Sequence, residues 1–187
     1  MEKEELLRLL ELEIIEKNIC PHLASQAKRL VMGEGSLSPH ILFIGEAPGK
    51  KEDELGRPFV GASGKMLNAM LASIGLARQS VYITNIVKYR PPENRDPTPE
   101  EKRAFRPFLD RQIEILKPSV IATLGKHALN EFFPEMRIQA VHGTIVQGTP
   151  HTIIPLYHPA AALYNGGLRA TLFQDFQIIK SQITLLA

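Results

Sequence analysis

A single cysteine, Cys20, stands in the 187-residue chain. One thiol can close no internal disulfide, and by itself it cannot hold a thiolate-ligated metal or an iron–sulfur cluster. Long apolar runs are absent too: no stretch of about eighteen apolar residues exists to cross a bilayer. The opening stretch MEKEELLRLLELEIIEKN threads acidic residues through its apolar stripe, unlike a signal peptide. Charge of one sign is also scarce. Twenty-two Lys and Arg against 20 Asp and Glu leave a net charge of +2, so any nucleic-acid contact must come from local clusters of cations. The expectation is a soluble, cytoplasmic monomer with no membrane partner.

What is present suits one domain over residues 1–187, since 44% hydrophobic content is enough for a single substantial core. Leu6, Leu7, Leu10, Leu12, Ile14 and Ile15 recur at helical spacing, which predicts an amphipathic helix from residue 2 to about 17. Four runs rich in β-branched and apolar residues follow: HILFI at 40–44, VYITN at 81–85, SVIATL at 119–124 and TIIPLY at 152–157. Each reads as a buried strand. Helical patterns lie between and after them, near 63–75, 99–116, 126–133 and 168–181. The fold class this alternation predicts is α/β, a three-layer α/β/α sandwich around a four-stranded parallel sheet. Pro91, Pro92, Pro97 and Pro99 make 90–99 an exposed irregular loop, and Gly143 and Gly148-Thr149-Pro150 mark turns.

Polar groups follow every strand. Gly45-Glu46-Ala47-Pro48-Gly49 comes after the first, Asn85 closes the second, Gly125-Lys126-His127 follows the third and His158-Pro159 the fourth. Ligands of an open parallel sheet bind outside the carboxyl ends of its strands, so one crevice should collect these groups. The pattern alone does not identify the ligand. GASGK at 61–65 is not a nucleotide-binding P-loop, because Phe59 and Met66 break the required spacing.

GEAPGKKEDELGRPFVGASGKML at 45–67, TNIVKYRPPENRDP at 84–97, LKPSVIATLGKHAL at 116–129 and YHPAAAL at 157–163 together resemble the uracil-DNA glycosylase superfamily, above all its family 4, the thermophile-type enzymes. The resemblance spans roughly residues 18–180. It implies a monofunctional N-glycosyl hydrolase of DNA base-excision repair that flips uracil out of single- or double-stranded DNA, releases the free base and leaves an abasic site. Because breaking the bond from C1′ to N1 leaves negative charge on the base, the site must stabilise a uracil anion. By the same resemblance His158 faces uracil O2, Asn85 reads O4 and N3, and Phe59 stacks on the base. Gly45 and Ala47 line the substrate pocket.

Glu46 is expected to support catalysis, either holding the attacking water or shaping the pocket opposite uracil C5, because relatives place a water-orienting aspartate where Ala47 stands. Gly49 occupies a position where some relatives carry a tyrosine that blocks the thymine methyl. DNA-backbone contacts are expected from the Gly61–Gly64 turn, through Ser63 and Gly64, and from Lys88, Arg90, Arg95 and Lys126. Either Leu163 or Tyr164 fills the gap left by the flipped base, where relatives place a large apolar wedge. His127, His142 and His151 read as structural or surface residues. Lys50–Asp53 and Glu93–Asp96 read as solvated loops.

Family 4 members carry four cysteines around a [4Fe–4S] cluster. The matching positions here are Lys17, Cys20, Tyr89 and Phe105, so the expectation is no cluster, no cofactor and no metal, with Cys20, Tyr89 and Phe105 meeting in an apolar mini-core. The alternative reading is a non-catalytic or replication-associated module that binds uracil in DNA.

Overall fold

The computed structural model of the chain describes residues 2–148 and 150–186, with side chains through residue 183. Six strands form its sheet: β1 (Glu34–Gly35), β2 (Ile41–Gly45), β3 (Tyr82–Asn85), β4 (Val120–Leu124), β5 (Val146–Gln147) and β6 (Thr152–Leu156). Their order is β1-β3-β2-β4-β6-β5. The central four run parallel, and each edge is closed by an antiparallel strand of two residues. The expected sheet of four strands is therefore corrected to six. A two-residue strand spans a single period of alternation and leaves no pattern to detect.

The central strands are buried on both faces, which is why they read as continuous apolar runs. Successive side chains still alternate between two cores. Leu42 and Ile44 join the core built with α1 (Lys3–Glu16), α2 (Pro21–Ala24) and α5 (Pro99–Leu116). Ile41 and Phe43 join the opposite core with α4 (Ala62–Ser73) and α9 (Arg169–Leu186), where Phe43 stacks on Phe176 at 5.8 Å. Three layers result, as the alternation of elements predicts.

Helix α5 starts at a reciprocal cap: Thr98 accepts from the Glu101 N–H while the Glu101 carboxylate accepts from the Thr98 N–H. Shorter helices α3 (Lys50–Leu55), α6 (Lys126–Asn130), α7 (Ile138–Val141) and α8 (Ala161–Tyr164) occupy segments between the larger elements. Helix α3 corrects the expectation of a solvated loop at 50–53, because Glu52 and Asp53 are both buried. Asp53 Oδ1 accepts from the N–H groups of Lys28 and Arg29, so its carboxylate ties α3 to the segment before the sheet.

Strand β2 has β3 on one side and β4 on the other, and the chain visits them in turn. The β2–β3 and β3–β4 connections therefore run in opposite directions across the sheet and open a crevice at the carboxyl end of β2. Gly45 and Asn85 are direct neighbours there in the β2/β3 register.

Candidate active site

A cavity of about 420 Å³ opens at that crevice, lined by Glu46, Phe59, Ser63, Asn85, Asp96 and His158 among others. Ala47 and Gly49 also contribute to its wall. Asn85 is almost completely buried, and among the described residues its Oδ1 has no hydrogen-bond partner. Leaving a buried acceptor unpaired costs about 1–3 kcal/mol, so this oxygen is held ready for a donor that arrives with a ligand. Gly45 makes the arrangement possible. A Cβ at that position would lie 2.5 Å from Asn85 Oδ1 and 2.6 Å from Phe59 Cζ.

Phe59 adopts a left-handed backbone conformation with φ 49°, unusual for a bulky residue. Several groups hold it there. Glu52 Oε1 accepts from both Val60 N and Gly61 N at 2.8 Å, and Arg78 Nη1 donates to Phe59 O at 3.0 Å. Gly64 is buried directly against the Phe59 backbone, where a side chain would collide. Gly64 lets α4 pack closely onto this loop, and Ser63 beside it reaches the cavity wall.

The His158 ring lies 5.6 Å from the Phe59 ring, tilted by 31°. Its Nδ1 accepts from the N–H of Ala160 at 3.1 Å. Burial pushes the imidazole down to about 4, so it is neutral near pH 7, and with Nδ1 accepting, the proton sits on Nε2. His158 is therefore a neutral Nε2–H donor.

Glu46 follows β2 at the cavity rim. Burial first, then the neighbouring Asp96 carboxylate, push it up to about 7. His127 Nε2 lies 2.9 Å from Asp96 Oδ2 and 3.9 Å from Glu46 Oε1, so one imidazole bridges the two carboxylates. Asp96 stays exposed, as read for the 93–96 loop, while His127 gains a place beside the pocket. The three side chains bring one donor atom each within 4.8 Å of one another, the one grouping among the described residues that could take a metal ion. With Asp96 exposed and His127 already bonded to it, the group is occupied as a hydrogen-bonded rim.

The cations expected to meet DNA divide sharply. Lys126 is exposed and stands close enough to Glu46 and Asp96 to lower both carboxyl pKa values. Arg90 donates to Asn94 Oδ1, while Arg95 makes a two-point pair with Glu101. Lys88 is fully buried, which overturns its expected contact with a phosphate. Its motif, TNIVK, places the lysine three residues past the end of β3. At the mouth, Leu163 and Tyr164 are exposed hydrophobes, and Tyr164, 91% exposed, also lines the cavity. His142 bonds Asp175 at 2.8 Å and packs on Tyr157, and His151 lies near Pro118 O, both as structural residues.

The four positions implied for a cluster do not suit one. Lys17 is exposed and paired with Glu13 at 2.6 Å. Tyr89 and Phe105 meet edge to face, with ring centroids 6.0 Å apart, in the same buried core as Cys20. Burial and the nearby Glu101 carboxylate push the Cys20 thiol up to about 11, so it stays protonated, opposite to what a metal ligand needs. Beside this core Glu101 joins three elements, bonding His22 of α2 at 2.7 Å and Arg95 of the 90–98 loop from its own place at the start of α5.

At the switch point of the sheet one pocket brings together a buried unpaired amide oxygen, an aromatic ring and a neutral histidine donor. Residues 32–177 match the family model for the uracil DNA glycosylase superfamily, and the chain belongs to that superfamily. Relatives that match the chain at 41–48% identity are type-4 uracil-DNA glycosylases. It is 48% identical over 160 residues to the type-4 uracil-DNA glycosylase of Sulfurisphaera tokodaii, covering 80% of this chain and 73% of that protein. It is 48% identical over 158 residues to the type-4 enzyme of Archaeoglobus fulgidus, covering 80% and 79%. With the type-4 enzyme of Thermotoga maritima it shares 41% identity over 189 residues, 97% of this chain and 96% of the other.

Proposed function

We propose that the chain is a monofunctional uracil-DNA glycosylase that hydrolyses the N-glycosidic bond of uracil in DNA, acting on a base flipped into the cavity. The unpaired Asn85 Oδ1 carries this reading. It accepts a hydrogen bond, its amide nitrogen donates one, and uracil presents the complementary pair: an N3–H donor beside an O4 acceptor. Cytosine presents an acceptor at N3, which would face the oxygen and leave two buried acceptors opposed. Phe59 stacks on the extruded base, and the His158 Nε2–H meets O2.

As the C1′–N1 bond breaks, its electron pair leaves with uracil and spreads onto O2 and O4. The His158 and Asn85 donors are already aimed there, so the transition state gains more than the ground state. Water bonds to C1′, and its proton passes to the Glu46 carboxylate, whose raised pKa makes it a competent acceptor near neutral pH. Ser63 and Lys126 contact the DNA backbone, and Tyr164, the more exposed of the two candidates, fills the vacated stack.

The enzyme works without a [4Fe–4S] cluster, metal or other cofactor. Supporting this are the lone thiol, its protonated state and the packed aromatics at two of the remaining positions. The test is a labelled oligonucleotide with one uracil, incubated with protein in EDTA and then treated with alkali. Strand breaks at uracil, lost in His158→Ala and strongly reduced in Asn85→Ala, support the reading; inactivity on single and double strands alike sinks it.

A further inference from the structure

Lys88 is a cation buried where, among the described residues, no ion pair is formed. Its Nζ donates to Thr84 Oγ1 at 2.6 Å, Gln112 Oε1 at 2.7 Å and the backbone carbonyl of Asn85 at 2.8 Å. All three partners are neutral. The network behind them is neutral as well, since Thr84 Oγ1 donates to Met32 O and Gln112 Nε2 donates to Met32 O and Tyr82 Oη. Among the described residues no carboxylate acts on Lys88, and burial alone pushes its amine down to about 7.

The hydrogen-bond inventory argues for the charged form. With the Thr84 hydroxyl hydrogen on Met32 O, rather than on Gln112 Oε1 at 3.3 Å, three acceptors face the nitrogen and take three N–H groups. An ammonium has three, whereas a neutral amine has two and a lone pair that would have to draw the Thr84 hydrogen away from Met32 O. Burying an unpaired ammonium is costly, and removing the charge by substitution with an apolar side chain would relieve that cost. A cation kept in such a place suits a site where negative charge appears only transiently. The proposed reaction creates one such charge, on the departing uracil, and Asn85 stands between it and Lys88.

We propose that Lys88 is a positioning residue for departure of the uracil anion: its buried ammonium anchors Asn85 through the backbone carbonyl and biases that end of β3 toward negative charge on the base. This rests on the reading that Asn85 faces the base. The ammonium polarises the Asn85 carbonyl and holds the strand end against the cavity, so that the side-chain amide is preset. It acts through Asn85 and makes no contact with substrate.

The test compares leaving groups. Fluorine at C5 makes uracil N1 more acidic, so 5-fluorouracil departs with less help from the protein. In single-turnover assays Lys88→Met is expected to slow uracil excision by roughly 30-fold and 5-fluorouracil excision by no more than about 5-fold. Gln112→Glu, which places a carboxylate against the ammonium and cancels its charge, is expected to show the same selective loss and decides the matter if Lys88→Met does not fold. Equal loss on both bases, or no loss, overturns the proposal. Asn85→Ala serves as the control: undiminished uracil excision in that variant would instead overturn the reading of the pocket.

Discussion

The Ala160 N–H and His158 Nδ1 are 3.1 Å apart, and this one bond decides which imidazole nitrogen carries the proton. With Nδ1 occupied as an acceptor and burial holding the ring neutral, Nε2–H is the group available to the base. Nitrogen NMR of the labelled protein should therefore show His158 as the Nε2–H tautomer, with no titration between pH 5 and 8. His158→Ala should lower the single-turnover rate by about a hundredfold to a thousandfold, the range for loss of one donor to a developing anion.

As the proposed proton acceptor, Glu46 should set the acid limb of the pH profile. Its carboxyl is protonated below about 7 and ionised above, so the rate should rise with pH through that value. Glu46→Gln should abolish the limb and cost about a hundredfold at pH 8. Because the Asp96 charge helps to raise Glu46, Asp96→Asn should move the limb to lower pH. Stability runs the opposite way. A carboxyl raised in the folded state destabilises the fold as pH climbs from 4.5 to about 7, so Glu46→Gln should increase Tm most at pH 8.

Gly45→Ala tests the pocket's geometry without altering a polar group. The new methyl would meet Asn85 Oδ1 and the Phe59 ring, so one of them must move. Excision should fall more than tenfold, since small displacements of positioned groups are costly, while the protein remains folded by circular dichroism. Retained activity would show that the two side chains are not held as described.

Glu101 is a stability residue. Its bond to Arg95 leads the effects that bring its carboxyl down to about 2, so its contribution is complete above the unfolded value of 4.5 and is lost as pH falls through 2. Allowing for the partial exposure of Arg95 and His22, Glu101→Gln should cost about 2 kcal/mol at pH 7 by denaturant titration, and the difference should vanish near pH 2.

Much of this architecture is legible in the residues themselves. Continuous apolar runs reveal the four central strands because both faces of each are covered, and the polar groups just beyond them converge as an open parallel sheet requires. The helical pattern near 99–116 corresponds to α5. What escaped notice depends on contacts distant along the chain. Glu52 looks like one member of a charged run until the 57–61 loop folds over it and offers two N–H groups. Lys88 reads as a surface cation, because nothing in the TNIVK motif reveals that Thr84, Gln112 and a backbone carbonyl enclose it. His127 and Asp96 are 31 residues apart and gain meaning only when the 90–98 loop meets the end of β4.

The most direct measurement pairs uracil release with iron content in one preparation of the purified protein. Single-turnover release of free uracil in EDTA, from protein with substoichiometric iron and no absorbance near 400 nm, is the expected result. Activity that scales with bound iron across preparations, or iron-free protein that leaves uracil in place on both single and double strands, would contradict a cluster-free glycosylase built on Asn85 and His158.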